Sequence, residues 1–173
     1  MNKKTFILLA IMTLGIISQV HSQILEENKV DDSTHTKIQR TSWETLNMTL
    51  RFNSYFRISR INEQTYLDLK MMIGSAFSIK EQDEIIFKLS NGEFIKLLNL
   101  KDAKTCIGCG ARGFNGSIAP GIEVSYILEK EQLEKLKNNT AVKITVYTNR
   151  GYVEEKVKEK NGKKISMALK LIE

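Results

Sequence analysis

Between residues 46 and 157 apolar side chains recur at every second position. Leu46, Met48, Leu50 and Phe52 alternate with Thr45, Asn47, Thr49 and Arg51, and Phe56 and Ile58 continue the run. After Asn62-Glu63-Gln64, one side takes Thr65, Leu67, Leu69, Met71 and Ile73, and the other takes Tyr66, Asp68 and Lys70. Successive side chains of a strand point to opposite faces, so this spacing predicts antiparallel strands with one buried face. Ile85, Phe87 and Leu89 precede Asn91-Gly92, and Ile95 and Leu97 follow it. That dipeptide tolerates the two positive φ angles of a type I′ turn, which predicts a tight hairpin. Residues 122–128, 142–146 and 152–157 read as further strands, the last two joined at Asn149-Arg150-Gly151.

Three stretches depart from that period, the first being residues 99–121. Residues 129–137 carry acids in the first turn and lysines in the last, as the helix dipole favours. At the C-terminus, Ile165, Ala168, Leu169 and Ile172 fit a helix face, while Ile165, Met167, Leu169 and Leu171 fit a strand face. The Met, Ala, Leu and Lys content favours helix, from about Lys158. The expected fold class is therefore α+β: an antiparallel sheet built from hairpins, covered by one short helix and a C-terminal helix.

The N-terminus reads differently. Lys3 and Lys4 precede an apolar run over residues 6–17, and Val20-His21-Ser22 closes it. This is the order of a secretory signal, and the run falls short of the ~20 residues a spanning helix needs. The expected organisation is a signal peptide at 1–22, a flexible polar leader at 23–40, and a single domain at 41–173. No cysteine precedes Cys106, so no lipid is expected at the cleavage point. Loss of Lys3 and Lys4 lowers the formal charge from +6 to +4. The lysines at 156, 158, 160, 163 and 164 stand beside Glu154, Glu155 and Glu159, the pattern of a solvated face. Nucleic acid is not an expected partner, because no basic stripe is interleaved with aromatics.

Chemistry concentrates in residues 99–121, which hold Cys106, Cys109, Gly108, Gly110, Gly113, Gly116 and the only proline, Pro120. Long loops in small domains are often functional. Cys106-Ile107-Gly108-Cys109 is a candidate disulfide, or a redox pair if a helix opened behind it, but no helical pattern follows. Residues 108–113 satisfy G-x-G-x-x-G literally, without the strand-to-helix context that nucleotide binding requires. Backbone N–H groups of such a loop can nest an anion beside Arg112, so Gly108, Gly110, Arg112, Gly113 and Phe114 are the candidate binding residues. A catalytic set has little raw material: with His21 removed, His35 is the one imidazole. No cofactor and no metal site is implied. Trp43, Tyr55, Tyr66, Tyr126, Tyr147 and Tyr152 would make a sugar-stacking platform if several shared an exposed face.

The stretch Tyr55-Phe56-Arg57-Ile58-Ser59-Arg60-Ile61 with Tyr66-Leu67-Asp68-Leu69-Lys70 resembles small exported bacterial proteins of unknown function. So does the later order of Ser125-Tyr126-Ile127-Leu128, Glu131-Gln132-Leu133-Glu134-Lys135-Leu136 and Ile144-Thr145-Val146-Tyr147-Thr148. The resemblance supplies no functional residues. The expected function is an exported, non-enzymatic binding or structural module, periplasmic, extracellular or at the cell surface. It would contact a protein or cell-envelope component through the loop at 105–121. The alternative is a thiol–disulfide redox protein using Cys106 and Cys109.

Overall fold

The computed structural model describes residues 23–110 and 120–172. The signal at 1–22 lies outside the described residues, and so do Arg112, Gly113 and Phe114 of the candidate loop. The larger sheet has seven strands. They are β1 (Leu25–Asp31), β2 (Thr36–Thr41), β3 (Glu44–Met48), β4 (Asn53–Ile61), β5 (Gln64–Met72), β10 (Cys106–Ile107) and β11 (Pro120–Leu128). Their order is β1-β2-β4-β5-β11-β10, with β3 also pairing β4. Strands β7 (Glu84–Leu89), β8 (Phe94–Leu98), β12 (Ala141–Thr148) and β13 (Gly151–Lys156) form a second sheet in the order β13-β12-β7-β8. A two-strand ribbon pairs β6 (Ser78–Ile79) with β9 (Ala103–Lys104).

The α+β expectation is corrected here. The chain is mostly β, 55% strand and 16% helix, so helices cannot be the layer that covers the sheet. Both main sheets are apolar on one face, and each supplies the other's cover. Phe56, Ile58, Leu67, Leu69, Val124 and Tyr126 from the larger sheet share one buried cluster with Ile85, Phe87, Leu97, Ile144 and Val146 from the smaller. The two helices close what the sheets leave open. Helix α1 (Lys130–Asn138) packs on α2 (Glu159–Leu171), and α2 also touches β3, β4 and β12. Ile165, Ala168 and Leu169 are its buried face, which resolves the C-terminal ambiguity as helix.

Three local readings also change. The polar segment at 23–40, expected to be a flexible leader, forms the β1–β2 hairpin. Backbone pairing recruits it: Ile38, Gln39 and Arg40 continue the ladder against Ile61, Arg60 and Ser59. The alternation through 46–52 does not persist, because Leu46 and Phe52 are buried while Met48 and Leu50 are exposed. A register shift between Thr45 and Asn47, then the turn into β4, explains the break. At Asn91-Gly92 the predicted hairpin forms, but only Gly92 has positive φ, at 89°. The Gly92 N–H donates to the Leu89 carbonyl, and the Leu89 N–H donates to the Glu93 carbonyl. That pattern is a three-residue loop with a glycine bulge rather than a type I′ turn.

Candidate functional site

The cysteine segment is a stapled ribbon at the edge of the larger sheet. Cys106 faces Gly121 and Ile107 faces Pro120 in the β10–β11 ladder. Cys106 and Cys109 form a disulfide with Cα atoms 5.4 Å apart. The Cys109 N–H donates to the Cys106 carbonyl at 3.4 Å, and Gly108 turns with φ at 79°. Below the staple, Gly110 is buried against Gly121 and Met72. A Cβ on Gly110 would stand 2.8 Å from the Met71 carbonyl, so glycine is what lets these backbones approach. The strand before the staple is anchored too, since the Thr105 N–H donates to the Phe77 carbonyl at 3.0 Å. Cys106 and Ile107 remain exposed, Ile107 at 77%.

This arrangement does not resemble an activated redox dithiol. In such a pair the attacking cysteine sits at a helix N-terminus, where the dipole favours thiolate. Here Cys106 belongs to a strand and the staple closes a β-turn. Among the described residues, no three His, Cys, Asp or Glu side chains come together as a metal site. No described helix is long and apolar enough to cross a membrane.

The aromatic residues divide between surfaces that the sequence does not separate. Tyr126 is fully buried, and burial followed by the charge of Asp83 pushes its phenol pKa strongly upward. Trp43 lies over the outer face of the larger sheet, 4.5 Å from both the Arg57 guanidinium and the Lys70 ammonium. Below it is an ionic cluster that sequence reasoning missed. Asp68 accepts from Arg57 Nε at 2.9 Å, Ser59 Oγ at 2.5 Å and Ser125 Oγ at 2.6 Å. Arg57 and Lys70 also approach Glu123, at 3.5 and 3.7 Å. These residues come from β4, β5 and β11, and register sets Arg57 opposite Asp68 and Asp68 opposite Ser125. Asp68 is only 5% exposed and fully engaged, so the cluster is a structural brace between three strands.

Tyr147 and Tyr152 sit elsewhere, on the outer face of the smaller sheet. They are directly opposed in the β12–β13 ladder, with ring centroids 6.1 Å apart and planes tilted by 45°. Ile86, Lys88, Phe94, Lys96, Thr145 and Glu154 share that face in a shallow trough of about 540 Å³. Of the C-terminal lysines, Lys163 pairs with Glu159 at 2.6 Å and Lys164 with Glu44 at 2.6 Å. No family model, curated protein or solved structure matches the chain.

Proposed function

We propose that the protein is an exported, non-enzymatic binding module that contacts a protein or envelope component through the loop at 105–121. The exposed Ile107, carried on a disulfide-stapled and glycine-locked ribbon, supports this reading. Loops on rigid scaffolds are favoured places for recognition, and the staple orders residues 106–109 in advance, which lowers the entropy they lose on binding. Lys3, Lys4 and the apolar run behind them support export to the periplasm, the cell surface or the outside of the cell. Ile107→Asp, which keeps the Cys106–Cys109 staple and the Gly110 contact, should leave the fold intact and abolish partner capture in in-cell cross-linking. An unchanged partner profile refutes the reading.

A second reading, thiol–disulfide exchange, draws on the exposure of Cys106. It requires a disulfide reducible at mild potential and a refolding activity lost in Cys106→Ser. A pair that resists mild reductant rules it out.

A further inference from the structure

The outer face of the smaller sheet carries a row of like charges. Lys156 stands opposite Lys143, Lys143 opposite Lys88, and Lys88 opposite Phe94. Directly opposed residues on antiparallel neighbours have Cβ atoms about 5 Å apart, and like charges so placed destabilise a sheet. Compensation on the face is partial. Glu154 pairs with Lys143 at 2.9 Å, and Glu84 pairs with Lys96 at 3.3 Å. Lys88 has the Phe94 ring, 5.7 Å from its ammonium. Among the described residues, no carboxylate lies within ion-pair reach of Lys88 or Lys156. Aromatic rings stand at both ends of the trough: Phe94 beside the row, and the Tyr147–Tyr152 pair further along the strands. All three are open to solvent, at 57%, 41% and 67%.

We propose that this face binds a linear acidic polysaccharide. Each repeating unit of such a polymer joins an apolar ring face to a carboxylate or sulfate. The ring faces would pack on Tyr147, Tyr152 and Phe94, and the acidic groups would lie over Lys143, Lys88 and Lys156. The lysines are strung across three strands instead of converging on one point, which suits a polymer better than a single anion. Charge complementarity carries the assignment: Lys88 and Lys156 have no carboxylate partner among the described residues and Lys143 between them has Glu154, so the row keeps a net positive charge that the ligand would neutralise. The site is built from β7, β8, β12 and β13 and shares no residue with 105–121, so either reading can fail without the other.

The test is calorimetric titration of the protein with polygalacturonate and dextran sulfate, which separate carboxylate from sulfate recognition. Neutral dextran, duplex DNA and phosphatidylglycerol vesicles serve as comparisons. Binding of one or both acidic polysaccharides, and none of the comparisons, is the expected result. Lys88→Gln with Lys143→Gln should weaken it about tenfold or more, and Tyr147→Ala with Tyr152→Ala about fivefold or more. Lys163→Gln, on α2, should leave it unchanged. Lys88→Gln alone should keep or raise the thermal midpoint of the free protein, because it relieves repulsion, while it weakens binding. The proposal is overturned if neither acidic polysaccharide binds, or if DNA or vesicles bind as tightly. It also fails if the tyrosine pair can be removed without loss, or if Lys88→Gln lowers the midpoint and leaves affinity intact.

Discussion

Asp68→Ala is the substitution on which the brace reading of the outer face depends. The wild-type carboxylate takes three donors, two of them on one oxygen. Its removal strands a Ser59 hydroxyl that is 2% exposed, which costs about 1–3 kcal/mol for an unsatisfied buried group. Arg57 loses its closest anion and keeps Glu123 at 3.5 Å and the Trp43 ring, so its loss falls near the low end of the ~1.5–3 kcal/mol for charged hydrogen bonds. Ser125 is half-exposed and can turn to water, adding little. The sum is about 2.5–4.5 kcal/mol, which overlaps the ~3–5 kcal/mol measured when one member of a buried pair is removed. For a chain of this size that lowers the thermal midpoint by on the order of 10 °C.

Equilibrium unfolding in urea can be followed at Trp43, the only tryptophan, which lies on the cluster itself. The denaturation midpoint should fall while the slope stays constant. Replacing both partners, Asp68→Val with Arg57→Met, should recover part of the loss, because an apolar pair leaves less charge to solvate. A single variant that loses less than about 1 kcal/mol would refute the reasoning, since it would mean that water already satisfies these donors.

Other perturbations probe separate parts of the fold. Gly162→Ala would ordinarily gain about 1 kcal/mol inside a helix. Here a Cβ would strike the Ala141 carbonyl and stand 2.9 Å from Thr140 Cγ2, so a loss of about 1–3 kcal/mol is expected, and a raised melting midpoint would contradict the packing. Tyr126→Phe removes a buried hydroxyl that has no hydrogen-bond partner among the described residues. Thermal unfolding should be unchanged or shifted upward, and a loss above about 1 kcal/mol would reveal a bonded hydroxyl. Asp31 accepts from the Ser33 hydroxyl and from the Ser33 and Thr34 N–H groups, which hold its pKa down at about 2 against an ordinary 3.8. Its contribution to the β1–β2 turn is therefore present above pH 3.8 and lost as pH falls through about 2. Carbon NMR of the Asp31 carboxyl should give that lower midpoint, and a titration near 3.8 would show the turn to be open.

What the sequence carries, and what it hides, follows from one distinction. Period-two spacing reports which side chains of a strand share a face, and Leu67, Leu69 and Met71 are buried as it requires. It is silent about which strands are neighbours. The polar hairpin at 25–41 shows this, since it joins the sheet through backbone pairing with β4 and carries no apolar signal to announce it. Gly162 shows it again: along the helix it looks like a weak point, but next to β12 it is a point of contact. The Asp68 cluster draws Arg57 and Ser59 from β4 and Ser125 from β11, and the lysine row draws on β7, β12 and β13. Both depend on register to the residue. A one-residue slip of β12 would turn Lys143, Thr145 and Tyr147 inward and drive Ile144 and Val146 into water. The buried apolar face therefore fixes the register, and the same register lines up the exposed lysines across the other face. Core packing thus holds like charges in opposition that their own repulsion would separate.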